Sequence, residues 1–186
     1  MLRLSQAVLK RGHFSLGPID FQVAPGSINL IVGRNGAGKT SLLQLIMSRL
    51  KPVSGEIQGN QIQLGSLGVE NILIESWTVE ENLHWYSALS QRETLHDFLQ
   101  DIRPLFPQKV SHLSSGMRRL VELSIILSQS FSLYLLDEAF SHLDHEYRDL
   151  FESKFEELRK QGSSFILTCH SKNDFKNLKA DNILTL

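Results

Sequence analysis

The chain carries a single cysteine, Cys169, only five prolines, and no stretch of apolar side chains longer than a few residues. Each scarcity excludes something. One thiol cannot close an internal disulfide, and no charged-then-apolar leader follows Met1-Leu2-Arg3, so a reducing cytosol is the expected compartment. Aliphatic runs such as Ile125-Ile126-Leu127 and Leu135-Leu136 fall far short of the roughly 18 apolar residues that a membrane-spanning helix requires. An excess of one charge is missing too. Nineteen Lys plus Arg against 20 Asp plus Glu leave a formal net charge of -1, which argues against coating nucleic acid or anionic lipid, and no nucleic-acid partner is expected. What the chain has is apolar content, 41% of 186 residues, enough for one core that buries roughly 70% of the unfolded surface. A single domain over 1–186 is expected, without internal repeats or low-complexity tracts.

From Leu2 to Val23 apolar and polar residues alternate in two stretches around Lys10-Arg11-Gly12-His13, which predicts a hairpin. Ser27–Val32 is a short β-rich run that stops at a glycine-rich segment, and helical spacing follows over Ser41–Met47. Leu133–Leu136, Ser164–Thr168 and Asn182–Leu186 read as further strands, and Glu146–Lys160 as an amphipathic helix between two of them. Such alternation predicts an α/β layered fold with parallel strands. The middle, about 79–127, shows helix-like spacing at Val79–Leu89, Thr94–Ile102 and Met117–Leu127 and reads as a helical insertion, with Gly65–Ser76 as a bounding loop.

Gly33-Arg34-Asn35-Gly36-Ala37-Gly38-Lys39-Thr40 has the spacing glycine, four residues, glycine, lysine, hydroxyl, and it lies between the predicted strand and helix. Glycines allow the backbone to curl until consecutive N–H groups converge on phosphate oxygens, and the following helix adds its positive end. A nucleoside triphosphate is the expected ligand, with Lys39 reaching the β- and γ-phosphates, Thr40 offering its hydroxyl to Mg²⁺ and Ser41 close to the α-phosphate. Leu133-Tyr134-Leu135-Leu136-Asp137-Glu138 is a hydrophobic strand ending in two acids, whose side chains strand alternation turns apart. Asp137 is expected to orient the Mg²⁺ shell, and Glu138 to hold an attacking water as general base.

Leu113-Ser114-Ser115-Gly116-Met117 precedes an amphipathic helix, Arg118 to Leu127, whose residues Leu120, Leu123, Ile126 and Leu127 share one face. Here the sequence resembles the ABC-type ATPases, whose signature loop is usually Leu-Ser-Gly-Gly-Gln. The other landmarks follow in order: Ser141-His142-Leu143-Asp144 resembles the D-loop, and Phe165–Cys169 ends in His170, which matches the switch histidine. The resemblance implies a fold with a phosphate-loop α/β core, an antiparallel β subdomain and a helical subdomain. It further implies ATP and Mg²⁺ as cofactors, hydrolysis by Glu138 with His170, and a dimer in which Ser114 and Gly116 of one copy bind the γ-phosphate held by the other. By the same resemblance the partner is a separate transmembrane permease subunit, the second ATPase is an identical copy or a paralogue, and the location is the inner face of the cell membrane. The compact size is similar to that of small bacterial exporters, including the haem exporter subunit of cytochrome c maturation.

Three departures stand out. The position that usually holds the Q-loop glutamine, a Mg²⁺ contact, falls on Glu70. Met117 replaces the signature glutamine. Leu120 stands where an arginine is frequent, so one polar contact of the signature helix is expected to be missing. The adenine-stacking aromatic has two candidates, His13 and Phe14, and His84-Trp85-Tyr86 forms an aromatic patch suited either to internal packing or to a partner. Two other readings remain open at this point: a soluble ABC ATPase that works as an assembly or scaffold factor, and a catalytically weakened regulatory subunit.

Overall fold

The computed structural model describes residues 2–59, 62–68, 71–90 and 102–186. The predicted hairpin is present as β1 (Leu2–Arg11) and β2 (Phe14–Val23), paired antiparallel with Arg11 opposite Phe14 at the turn. It forms a three-stranded sheet with β4 (Ser54–Gln58) in the order β2-β1-β4. The second sheet has five strands in the order β5-β6-β7-β3-β8: Leu64–Leu67, Leu133–Leu136, Ser164–Cys169, Ile28–Val32 and Asn182–Thr185. Every pairing in it is parallel.

Parallel strands need crossovers, and these put layers on both faces. The strand side chains divide accordingly. Leu133, Leu135, Ile166 and Ile31 face a cluster built from α1 (Lys39–Ile46) and the antiparallel sheet. Tyr134, Leu136, Phe165, Leu167, Ile28 and Leu30 face α3 (Ser115–Ser128) and α4 (His145–Lys160). On that second face aromatic rings run in contact, Tyr134 stacked on Phe165 at 4.8 Å, Phe165 against Phe155 at 5.0 Å and Phe155 on Phe140 at 5.7 Å. Such pairs add about 0.5–1.5 kcal/mol each beyond burial and fix α4 against the sheet.

Between β5 and α3 lies α2 (Val79–Ser90), opened by a capping box in which Glu81 Oε2 accepts from the Thr78 N–H at 2.7 Å and Thr78 Oγ1 accepts from the Glu81 N–H at 3.2 Å. That backbone hydrogen bond holds the Glu81 carboxyl below its ordinary pKa. The helix expected within Thr94–Ile102 lies outside the described residues, Ile102 excepted.

Two expectations are corrected, and one strand, β4, was not expected at all. The segment read as a loop from Gly65 contains β5, because Leu64–Leu67 pairs along the edge of β6. The strand β4, Ser-Gly-Glu-Ile-Gln, has no hydrophobic alternation and owes its conformation to pairing with β1. In α3 the apolar side chains are not confined to one stripe: all residues from Leu120 to Leu127 are buried, including Glu122 and Ser124. A helix buried on more than one side belongs inside the domain, not on its surface.

Candidate functional site

Strands β3, β6 and β7 lie side by side and point the same way, so the loops after them open at one end of the sheet, where ligands of parallel α/β sheets bind. The loop after β3 is Gly33–Gly38. Gly38 has φ of +104° and N-caps α1 without any side-chain cap, and no acidic residue occupies the first turn. Among the described residues no side chain caps the N–H groups of that turn, which suits an anion site at a helix start. A Cβ on Gly38 would also lie 2.7 Å from Phe14 Cζ. Both the backbone conformation and the aromatic ring exclude a side chain there.

A cavity of about 420 Å³ sits over this loop, lined by Arg34, Asn35, Gly36, Gly38, Lys39, Thr40 and Ser41, together with Glu138 and the hairpin residues Arg11 and Phe14. Lys39 is buried, and its Nζ donates to Gly33 O at 2.9 Å and Arg34 O at 3.3 Å. Asp137 is buried as well. A buried carboxylate needs partners, and it has two hydroxyls: Thr40 Oγ1 donates to Oδ2 at 2.5 Å, and Thr168 Oγ1, from β7, donates to Oδ1. Thr168 Oγ1 in turn accepts from the Glu138 N–H at 2.8 Å.

The two acids point apart, as expected, but strand alternation is not the cause. The strand ends at Leu136, and Glu138 adopts φ of +47°, a left-handed turn that swings its side chain toward the cavity. There Glu138 Oε1 lies 3.3 Å from Lys39 Nζ and 3.3 Å from His170 Nε2. His170 follows β7 directly, and its N–H donates to Asp174 Oδ2 at 3.0 Å, inside a capping box closed by Ser171. Neighbouring Cys169 is buried, and burial is the main reason its thiol is pushed up to about 11. It is a packed side chain and not a nucleophile.

Ser114 and Gly116 are not among the residues lining the cavity. Ser114 N-caps α3, its hydroxyl accepting from the Met117 N–H at 3.2 Å. Glu70 lies outside the described residues. Of the two aromatic candidates, Phe14 lines the cavity and His13 does not. The patch at His84–Tyr86 is divided: the Tyr86 hydroxyl turns inward and donates to Ile72 O at 2.6 Å, whereas Trp85 is exposed and meets Trp77 edge to face at 6.1 Å.

The profile of the ABC transporter family matches residues 16–141, a span holding both the phosphate loop and the paired acids. The chain belongs to that family, as an ATP-binding subunit. It is 29% identical over 188 residues to the cytochrome c biogenesis ATP-binding export protein CcmA of Rickettsia felis, covering 95% of this chain and 96% of that one. The CcmA protein of Nitrosospira multiformis is 32% identical over 82% of each chain. The polysialic acid transport ATP-binding protein KpsT of Escherichia coli is 28% identical over 88% of this chain and 76% of its own. Among solved structures, an ATP binding subunit of an ABC transporter superposes with a TM-score of 0.88 at 22% identity, covering all of this chain and 85% of that one.

Leu120 lacks the frequent arginine, and the guanidinium of Arg119, one residue earlier, donates to Asp137 O, to Glu138 O at 3.0 Å and to Ala139 O at 3.1 Å. Sequence reading also missed Arg11, which the hairpin turn carries to the cavity beside Phe14. Its signal was the basic pair Lys10-Arg11 at a turn, which takes on meaning only once the turn is seen beside the phosphate loop.

Proposed function

We propose that this chain binds and hydrolyses ATP as one half of a nucleotide-sandwich dimer and drives a separate membrane subunit. The observation that carries this reading is the convergence of Lys39 and His170 on one oxygen of Glu138, each at 3.3 Å, at the mouth of the cavity. The loop from Gly33 to Ser41, including Arg34, Asn35, Gly36, Ala37 and Gly38, wraps the phosphates with backbone N–H groups. The Lys39 ammonium, satisfied now by two loop carbonyls, exchanges them for β- and γ-phosphate oxygens.

Thr40 and Asp137, whose oxygens already meet at 2.5 Å, are a hard-oxygen pair suited to Mg²⁺, with Glu70 as a further candidate ligand. The ion when bound spreads the negative charge of the phosphates. The carboxylate of Glu138 accepts a proton from the attacking water, and His170 orients that carboxylate and the terminal phosphate. Phe14 and Arg11 border the face where the base and ribose lie.

Ser114 and Gly116 face the nucleotide of the second copy, which explains why they do not line the cavity of their own chain. No helix among the described residues is long and apolar enough to cross a membrane, so attachment to the inner face of the membrane runs through the partner. Exposed Ile74, Trp85 and Leu89, with Trp77 against Trp85, offer the apolar contact surface for that subunit. The similarity to CcmA proteins supports an exporter of the compact type.

Glu138→Gln tests the reading. It keeps the size and the hydrogen-bonding carbonyl but removes the proton acceptor. ATP affinity by calorimetry is expected within about threefold of wild type, turnover at least about 100-fold lower, and an ATP-dependent dimer is expected in light scattering. Wild-type turnover in this variant removes Glu138 from its role, and a chain that binds no ATP ends the proposal.

A further inference from the structure

The start of α3 is joined to the acid turn of the same chain at two places. At Gly116 a Cβ would lie 2.6 Å from His142 O, so helix and D-loop are in backbone contact. One turn further on, the Arg119 guanidinium donates to the carbonyls of Asp137, Glu138 and Ala139, and its Nη1 is held 3.1 Å from Glu122 Oε2. These three carbonyls span the left-handed residue Glu138, a conformation unfavourable for a residue with a Cβ, which persists only when its surroundings hold it. A guanidinium presents its N–H groups as a rigid planar fork and can serve all three oxygens at once; an ammonium delivers its protons from one atom.

We propose that Arg119 is a positioning residue that links the two nucleotide sites of the dimer, setting Glu138 of its own site according to the engagement of Ser114 and Gly116 by the nucleotide of the opposite one. The inference rests on the dimeric reading above. Ser114 and Arg119 are five residues apart on one helix, about 7.5 Å along its axis. A rigid helix moves as a unit, so a shift of its first turn toward a phosphate carries Arg119 and the three carbonyls with it. Displacements of an ångström at a reacting group change rates by about 100-fold, so a small shift suffices. Arg119 does not line the cavity, and its action is therefore on turnover and not on ATP affinity.

The test is a double-mutant cycle on the full chain, with Ser114→Ala, Arg119→Lys and the pair, reading kcat, KM and ATP affinity by calorimetry. Arg119→Lys is expected to lower kcat about tenfold, with ATP affinity within about twofold. The double variant is expected to be no slower than the slower single variant, within about twofold, because one residue relays what the other senses. Losses that multiply in the double variant, or an Arg119→Lys turnover equal to wild type, overturn the inference. If Arg119→Lys does not fold, Glu122→Gln, which loosens the guanidinium without removing it, takes its place in the cycle with the same opposing outcomes. A wild-type chain that neither hydrolyses ATP nor dimerises brings down the proposed function and this inference together. A wild-type chain slowed by Ser114→Ala, with independent losses at Arg119, brings down only the inference.

Discussion

The loop after β3 and the first turn of α3 both combine glycine with hydroxyl residues at the start of a helix, yet they end up in different circumstances. The loops after β3, β6 and β7 close on one another: Thr40 and Thr168 meet at Asp137, and Lys39 and His170 meet at Glu138. The α3 turn closes on nothing in the cavity; Ser114 caps its own helix, and Gly116 leans on His142. Adjacent parallel strands deliver their loops to a common place automatically, whereas a helix inserted between strands is free to present its end elsewhere. On the proposed reading the first group is the half of an ATP site that one chain completes, and the second is the half it lends to another.

The largest expected effect breaks the complete half. Lys39→Ala removes the buried ammonium of the phosphate loop, and ATP affinity by calorimetry is expected to fall about 10- to 100-fold, in line with the loss of one or two charge-assisted hydrogen bonds. An unchanged affinity would place the nucleotide away from Gly33–Thr40.

A control from neither group comes next. Glu152 of α4 is buried and accepts from the backbone N–H groups of Asn177 at 2.7 Å and Lys176 at 3.1 Å, which ties α4 to the segment after His170. Glu152→Ala orphans both donors and is expected to cost about 2–4 kcal/mol in urea denaturation. Burial raises its carboxyl pKa above the ordinary 4.5, against the lowering effect of the two N–H groups. An acid with a raised native pKa binds its proton more tightly when folded. Its favourable contribution is thus complete below 4.5 and is lost as pH rises through the raised native value. The stability of wild type relative to Glu152→Gln is expected to increase as pH falls through that window, and a difference independent of pH would show that the carboxyl is not desolvated.

A last effect, on reactivity and not on function, sharpens the comparison at the end of β7. With its thiol pushed up to about 11 by burial, by the charge of Asp174 and against that of Lys39, Cys169 is expected to react with iodoacetamide at pH 8 about 100-fold more slowly than in urea. Rapid labelling of the folded chain would mean that β7 does not hold His170 where the site needs it.

Much of the chemistry was legible because it is contiguous. The phosphate loop, the acids after Leu136 and the histidine after Cys169 each announce themselves within a few residues of a hydrophobic strand, since a parallel strand must be apolar and its functional loop must follow directly. The strands β4 and β5 were not legible, because Ser54–Gln58 and Leu64–Leu67 carry glycine and polar residues and become strands through partners far along the chain. Arg119 was not legible either. Next to it Arg118 makes an exposed ion pair with Glu75 at 2.7 Å, and nothing local distinguishes the arginine that turns outward from the one that turns in.

By itself the sequence determined the triphosphate-binding pattern, the order of the landmarks and the parallel α/β class, all of which depend on short-range spacing and hydrophobic period. Tertiary structure alone decided which oxygens face which donors: that Glu138 leaves its strand by a left-handed turn, that Arg119 donates to three carbonyls of the acid turn, that Phe14 and Arg11 border the cavity, and that Ser114 is not part of its lining. Those outcomes depend on hydrogen bonds and close approaches between residues distant in the chain, and such contacts have no period for a sequence to display.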